Sequence, residues 1–149
     1  MVNKRIMRKT VFDCSLIELS RIQNRSVSMT PINNYIDIPF EAKRVFYVYD
    51  IPGGVIRGTH AHKECHEFLI AGSGSFEVHL DDGKDKKIVM LNQPYKGLYK
   101  PPGIWASETN FSSGAICLVF ASHEFEEDDY IRDYNSYLDY IRTNKSDLP

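Results

Sequence analysis

Two histidines, an arginine and a glutamate fall close together in one stretch of this 149-residue chain. His60 and His62 are two residues apart, so on a strand both side chains point to the same face. Arg57 precedes the pair, and Glu67 follows it on the next apolar run. Such a group can bind a divalent metal, or it can supply a base and the residue that orients it. The residues alone leave both alternatives open.

The surrounding sequence predicts short strands that would position these side chains. Runs rich in Val, Ile, Phe and Tyr occur at 43–50, 66–72, 75–80, 86–91 and 115–121. Aromatic and β-branched residues favour pleated surfaces, and Gly/Pro turns separate the runs every 8–12 residues or so, which is typical of a sandwich or barrel. The sequence contains no repeat or linker, so we expect a single domain over residues 1–149.

The C-terminal stretch has a different pattern. Its apolar residues recur at the three- and four-residue spacing of a helix stripe, which predicts a helix over about 127–142. Four acidic residues, 126–129, lie where carboxylates complement the positive end of a helix dipole. We therefore interpret them as a charged first turn rather than a metal or partner site.

Composition excludes several classes of function. A formal charge of −2 gives no field for attracting nucleic acid or an acidic membrane surface. The three cysteines, Cys14, Cys65 and Cys117, are far apart and show no C-x-x-C spacing, which fits a reducing compartment. No run approaches the roughly 20 apolar residues of a membrane span, and the basic N-terminus lacks the apolar core of a signal peptide. We expect a cytoplasmic protein without nucleic-acid or membrane partners.

The spacing around the histidines resembles the first cupin motif, G-x5-H-x-H-x4-E-x6-G. The matching residues are Gly54, His60, His62, Glu67 and Gly74. The resemblance implies an all-β fold, the cupin double-stranded β-helix (jelly-roll) barrel, here followed by the C-terminal α-helix.

The second cupin motif, P-x-G-x2-H-x3-N, is only partly present. Pro101, Gly103 and Asn110 match, but Ala106 stands where metal-binding cupins carry their fourth ligand, a histidine. The resemblance therefore favours a site with no metal and no cofactor over a three-ligand metal site.

A closer resemblance extends over roughly residues 10–142. It rests on KRVFYVYD (43–50), RGTHAHKECHEFLI (57–70), LDDG (80–83), GLYKPPGIW (97–105) and DDYIRDYNSYLDYI (128–141). These runs resemble the nucleotide-sugar 3,4-ketoisomerases of the FdtA/QdtA/WxcM-like type. The resemblance implies an isomerase that moves the keto group between C4 and C3 of dTDP-4-keto-6-deoxy-D-glucose through an enediol or enediolate. It also implies a role in deoxyamino-sugar biosynthesis for O-antigen or S-layer glycans, and a homodimer that exchanges N-terminal strands.

The same resemblance assigns the catalytic residues, which would be His60, His62, Tyr47 and Arg57. The need for a base with a pKa near neutral makes His62 the candidate for that role. The expected substrate-binding residues are Arg57 and Glu67, together with Tyr99 and Trp105, which flank the turn 101–103 and would wall a sugar or base pocket. Two positions depart from the family: Ala106 replaces a polar side chain, and Glu67 stands where glutamine is common. Both departures bear on the stereochemistry at C4 more than on the reaction class.

Three alternatives remain open. The first is a metal-dependent cupin enzyme that uses His60, His62 and Glu67, and the second is a non-catalytic sugar-binding cupin. The third is a 3,5-epimerase, which the short chain and the H-A-H context disfavour.

Overall fold

The computed structural model describes residues 8–144, and within that range the chain forms twelve strands and one α-helix. The strands are β1 (Ser15–Glu18), β2 (Ile22–Asn24), β3 (Val27–Met29), β4 (Arg44–Val48), β5 (Arg57–His62), β6 (Glu67–Ser73), β7 (Phe76–Asp81), β8 (Lys86–Leu91), β9 (Lys96–Lys100), β10 (Trp105–Thr109), β11 (Ile116–Ala121) and β12 (Tyr130–Ile131). The helix α1 spans Tyr134–Thr143, and short 3-10 turns occur at Val11–Asp13 and Glu127–Asp129. Residues 1–7 and 145–149, which the single-domain prediction includes, lie outside the described residues.

Two five-stranded antiparallel sheets form the barrel. One has the order β1-β9-β6-β11-β4 and the other β12-β5-β10-β7-β8, while β2 and β3 form a separate hairpin. The inner faces enclose an apolar core that includes Leu69, Val78, Leu98, Ala106 and Val119. The predicted all-β cupin barrel with a C-terminal helix is confirmed.

The helix begins later than the sequence predicts. Tyr130 and Ile131 pair with β5, and the Asp133 side chain caps the helix by accepting a hydrogen bond from the Ser136 backbone N–H. The predicted start near residue 127 is therefore wrong, because the apolar stripe runs on from a strand into a helix. Acidic residues 127–129 form a 3-10 turn instead of a first helical turn.

A bulge in β5 decides which way Arg57 points. Ala106 pairs with His60, and Glu108 pairs with Arg57. The partners are two residues apart on β10 but three residues apart on β5, so β5 contains one extra residue. Gly58 supplies the extra residue with a φ of 63°, a left-handed conformation that suits glycine. Residues three apart on a regular strand face opposite ways. The bulge therefore turns Arg57 to the barrel interior, the face that also carries the histidines.

Candidate functional site

The charged residues of the site lie inside the barrel. Glu67, Lys100 and Glu108 occupy inward positions of their strands, because each lies two residues from a core residue on the same face: Leu69, Leu98 and Ala106, respectively. All three side chains are buried. Burying charges is costly unless they are paired or hydrogen-bonded, so this cluster marks the interior of the barrel as the candidate site.

His62 is held in one orientation by Asp129. The two side chains are 2.9 Å apart, between Nδ1 and Oδ2, and because the carboxylate accepts, Nδ1 donates its proton. Asp129 also accepts the backbone N–H groups of Glu64 and Cys65, at 2.7 and 3.3 Å. His62 is 1% exposed, and its Nε2 has no hydrogen-bond partner among residues 8–144. The site therefore contains an oriented imidazole with an unused lone pair.

A buried ion pair flanks that lone pair. Lys100 Nζ lies 2.9 Å from Glu67 Oε1, the same oxygen that lies 3.3 Å from His62 Nε2. Burial alone would raise the pKa of Glu67, but the ammonium of Lys100 outweighs it and holds that pKa well below its usual range. Burial likewise opposes the charge of Lys100, yet Glu67 keeps the pKa of the ammonium raised. Glu67 is therefore ionised at neutral pH.

His60 is a neutral imidazole. Burial, and then the positive charge of Lys100, lower its pKa to about 3. Its ring meets the ring of His62 edge-on, with centroids 4.8 Å apart. The pair therefore consists of a neutral ring beside a ring that faces two carboxylates.

Arg57 and Glu108 form the other part of the interior cluster. Burial and the charge of Glu67 raise the pKa of Glu108 to about 7, although Lys100 and Arg57 act in the opposite direction. The Glu108 carboxyl lies over Gly58, where an added Cβ would overlap it. Arg57 Nε is buried without a hydrogen-bond partner in the described chain, which leaves a guanidinium able to bind an anionic group.

The residues predicted as metal ligands do come together. His60, His62 and Glu67 place one ligand atom each within 4.8 Å of one another. A divalent cation there would have to share Glu67 with the buried Lys100 ammonium, and Ala106 opposite His60 adds no donor atom. This donor set does not fit a resident metal.

A second group of donor atoms consists of His62, Cys65 and Asp129. The Asp129 carboxylate already accepts hydrogen bonds from His62 Nδ1 and from the backbone N–H groups of Glu64 and Cys65, and His62 Nδ1 carries a proton in that contact. This set does not fit a metal either.

The three aromatic residues predicted for the site lie elsewhere. Tyr47 is 61% exposed on the outer face of β4, while its neighbours Phe46 and Val48 pack inward. With residues 111–116 it lines an outer cavity of about 670 Å³ to which neither His60 nor His62 contributes.

The other two aromatic residues also face away from the histidine pair. The Tyr99 hydroxyl forms a hydrogen bond with His66 Nδ1 at 2.7 Å, on the outer face of the sheet that contains β9 and β6. Trp105 packs under α1 with Tyr134 and Tyr137. Alternation along a strand groups residues by face, but it does not say which face is inside.

Sequence reasoning missed four site residues: Lys100, Glu108, Asp129 and Tyr130. The ring of Tyr130 lies 4.4 Å from that of His62 and 4.9 Å from that of His60, between centroids. Asp129 and Tyr130 belong to the run DDYIRDY that carries part of the family resemblance, and that run was the available signal. Lys100 belongs to the run GLYKPPGIW, which also carries part of the resemblance, whereas Glu108 lies outside every such run and gave no signal.

Comparisons with known proteins identify the family of this chain. Residues 12–142 match the family described as FdtA: WxcM-like, C-terminal. A TDP-4-oxo-6-deoxy-alpha-D-glucose-3,4-oxoisomerase from Aneurinibacillus thermoaerophilus is 38% identical over 126 residues, which cover 85% of this chain and 91% of that enzyme.

Two solved structures of one enzyme are also similar. QdtA, a sugar 3,4-ketoisomerase from Thermoanaerobacterium thermosaccharolyticum in complex with TDP, has a TM-score of 0.87 and 37% identity, covering 90% of this chain and 98% of that one. A histidine-to-asparagine variant of that enzyme, in complex with TDP-4-keto-6-deoxyglucose, has a TM-score of 0.86 and 36% identity over 94% of this chain and all of the other.

Proposed function

Because this chain belongs to the WxcM-like family, whose relatives above are sugar 3,4-ketoisomerases, we propose that it moves the keto group of dTDP-4-keto-6-deoxy-D-glucose from C4 to C3. One observation carries the proposal: His62 donates Nδ1–H to Asp129 and keeps a buried, unpartnered Nε2. Such an atom is suited to take a proton from carbon.

The isomerisation moves two protons. One leaves C3 and one arrives at C4, while the hydroxyl proton of O3 is lost and O4 gains one. Between these events the sugar is an enediol or enediolate. His62 takes the C3 proton at Nε2, and Asp129 stabilises the imidazolium from the other side of the ring, as the carboxylate does in a Ser-His-Asp triad.

The neighbouring charges support this step. Once Nε2 carries a proton, Glu67 lies close enough to accept a hydrogen bond from it, and Lys100 keeps that carboxylate ionised. Arg57 faces the same interior and provides a cation for the developing oxyanion or for a substrate phosphate. His60 is neutral and can pass a proton between the sugar and solvent. We assign no cofactor to this reaction.

NMR of the product tests the proposal. Incubation with dTDP-4-keto-6-deoxy-D-glucose is expected to give the 3-keto sugar, with equal turnover in the presence of a chelator. His62→Asn is expected to lower kcat at least about a hundredfold, the usual minimum contribution of a positioned base. Deuterium from D₂O at C5 instead of C4 would refute the ketoisomerase assignment in favour of epimerisation. Turnover lost to the chelator and restored by a divalent metal would refute the metal-free mechanism.

We also propose that the single domain works as a cytoplasmic homodimer. Val45 and Tyr47 are exposed on edge strand β4 and Tyr49 just after it, and the β2–β3 hairpin exposes Ile22, Val27 and Met29. Edge strands and apolar surface of this kind are covered by pairing with a second copy. Light scattering at micromolar concentration is expected to give twice the chain mass, and a monomer mass would contradict the proposal. Among residues 8–144, no helix is long and apolar enough to cross a membrane.

A further inference from the structure

Tyr130 stands beside both histidines. It is the cross-strand partner of His62, so its side chain shares the interior face of β5 and β12. Its ring contacts those of His60 and His62 at centroid distances of 4.9 and 4.4 Å. Tyr130 and His60 are half-buried whereas His62 is fully buried. A sugar approaching His62 from this end of the barrel therefore meets the tyrosine first.

Arg44 holds the phenol of Tyr130 from the opposite sheet. Its Nη2 donates to the phenol oxygen at 3.3 Å, a long hydrogen bond that crosses the barrel mouth. The guanidinium stacks on the rings of Phe46 and Phe125, with its carbon 5.3 and 5.7 Å from their centroids. No carboxylate lies within 4 Å of it among the described residues, and its buried Nε has no partner there. Its positive charge is thus directed at the phenol oxygen.

The expected tyrosine is not available to the histidines. Tyr47 projects from the outer face of β4, and the inward residues on either side of it, Phe46 and Val48, have no hydroxyl. Across residues 8–144, the tyrosine in ring contact with both His60 and His62 is Tyr130.

We propose that Tyr130 is the second proton-transfer residue of the reaction and that Arg44 positions it, an inference that rests on the proposed ketoisomerase function. His62 would take the proton from C3 and return it to C4. Tyr130 would give its phenolic proton to O4 as the C4 carbonyl becomes an enol, and would recover a proton from the O3 hydroxyl as C3 becomes the carbonyl. Each residue ends as it began, so the two transfers balance without an oxidant or reductant.

Arg44 has a defined part in this cycle. Between the two oxygen transfers Tyr130 is a phenolate, and a guanidinium that donates to the phenol oxygen stabilises that negative charge. A cation held by two aromatic rings is fixed before substrate arrives. Arg44 therefore acts through Tyr130 and is a positioning residue.

The test compares two tyrosine variants. Tyr130→Phe keeps the ring contacts and removes the hydroxyl, and we expect kcat to fall about a hundredfold or more while the affinity for TDP, measured by calorimetry, changes less than threefold. Tyr35→Phe, at an exposed tyrosine that has no role in the site, is the matched control and is expected to keep kcat within about threefold. Tyr47→Phe tests the tyrosine that the resemblance named, and we expect it to lose less of kcat than Tyr130→Phe. Arg44→Lys should retain more of kcat than Arg44→Met, with TDP affinity again unchanged in both.

The outcomes separate this inference from the function on which it rests. A Tyr130→Phe variant with wild-type kcat, or a Tyr47→Phe variant with the larger loss, overturns the role of Tyr130. A wild-type protein that does not convert the keto-sugar overturns the proposed function, and this inference with it. Equal kcat in the two Arg44 variants overturns the role of Arg44.

Discussion

The buried carboxyl of Glu108 leads to a prediction about stability and pH. Its pKa is raised from 4.5 to about 7, first by burial and then by the charge of Glu67. When a group has a higher pKa in the folded state than in the unfolded state, its contribution to stability is complete below the unfolded pKa. That contribution is lost as pH rises through the folded pKa. Glu108 therefore lowers the free energy of unfolding between about pH 4.5 and pH 7.

The magnitude follows from the two pKa values. Each pH unit between them corresponds to about 1.36 kcal/mol, so ionised Glu108 costs the native state about 3 kcal/mol. Glu108→Gln keeps the size of the side chain over Gly58 and cannot ionise. The difference in unfolding free energy, variant minus wild type, should rise by about 3 kcal/mol from about pH 4 to about pH 8. For a protein of this length that corresponds to roughly 6–12 °C in Tm.

Urea unfolding at several pH values measures this difference. Other buried groups, including His60, titrate in both proteins, so their contributions cancel in the difference. A pH-independent effect of the amide adds the same amount to the difference at every pH and does not alter its change with pH. The exposed Glu124 supplies the control, because Glu124→Gln makes the same chemical change outside the barrel interior and leaves the buried charges in place. A flat difference for Glu108→Gln would refute the claim that the barrel interior opposes this charge.

Three further changes test the site. Asp129→Asn removes the acceptor that fixes the imidazole, so kcat should fall at least about a hundredfold with TDP binding kept, and steady-state kinetics with calorimetry would measure both. Lys100→Met leaves the buried carboxylate of Glu67 without its ion-pair partner and should lower the free energy of unfolding in urea by about 3–5 kcal/mol. The double variant Lys100→Met/Glu67→Gln should recover most of that loss. Gly58→Ala forces alanine into a left-handed conformation and should cost at least about 1–2 kcal/mol, whereas Gly53→Ala, with no atom within 4 Å of the added carbon, should cost far less.

The spacing of residues along the sequence predicted part of this site. The rest depends on contacts between strands, which spacing does not reveal. The two-residue step from His60 to His62 predicts a shared face, and the structure has it. Arg57 lies an odd number of residues away, so its inward direction depends on the bulge at Gly58, which spacing alone does not reveal. Asp129 meets His62 across 67 positions of the chain, and its acidic neighbours made it resemble a helix start. Contacts between strands so far apart in sequence leave no local pattern.

The hydrogen bond between His62 and Asp129 also has a consequence for the order in which the parts of the site become available during protein synthesis. A ribosome delivers the histidine pair long before residues 129–131, which orient His62 and add a short edge to β5. The histidine pair can therefore be in place before the carboxylate that orients His62. Docking of residues 129–131, together with the helix behind them, completes the site. A chain cleaved before residue 129 would keep both barrel histidines but lose the carboxylate that orients His62.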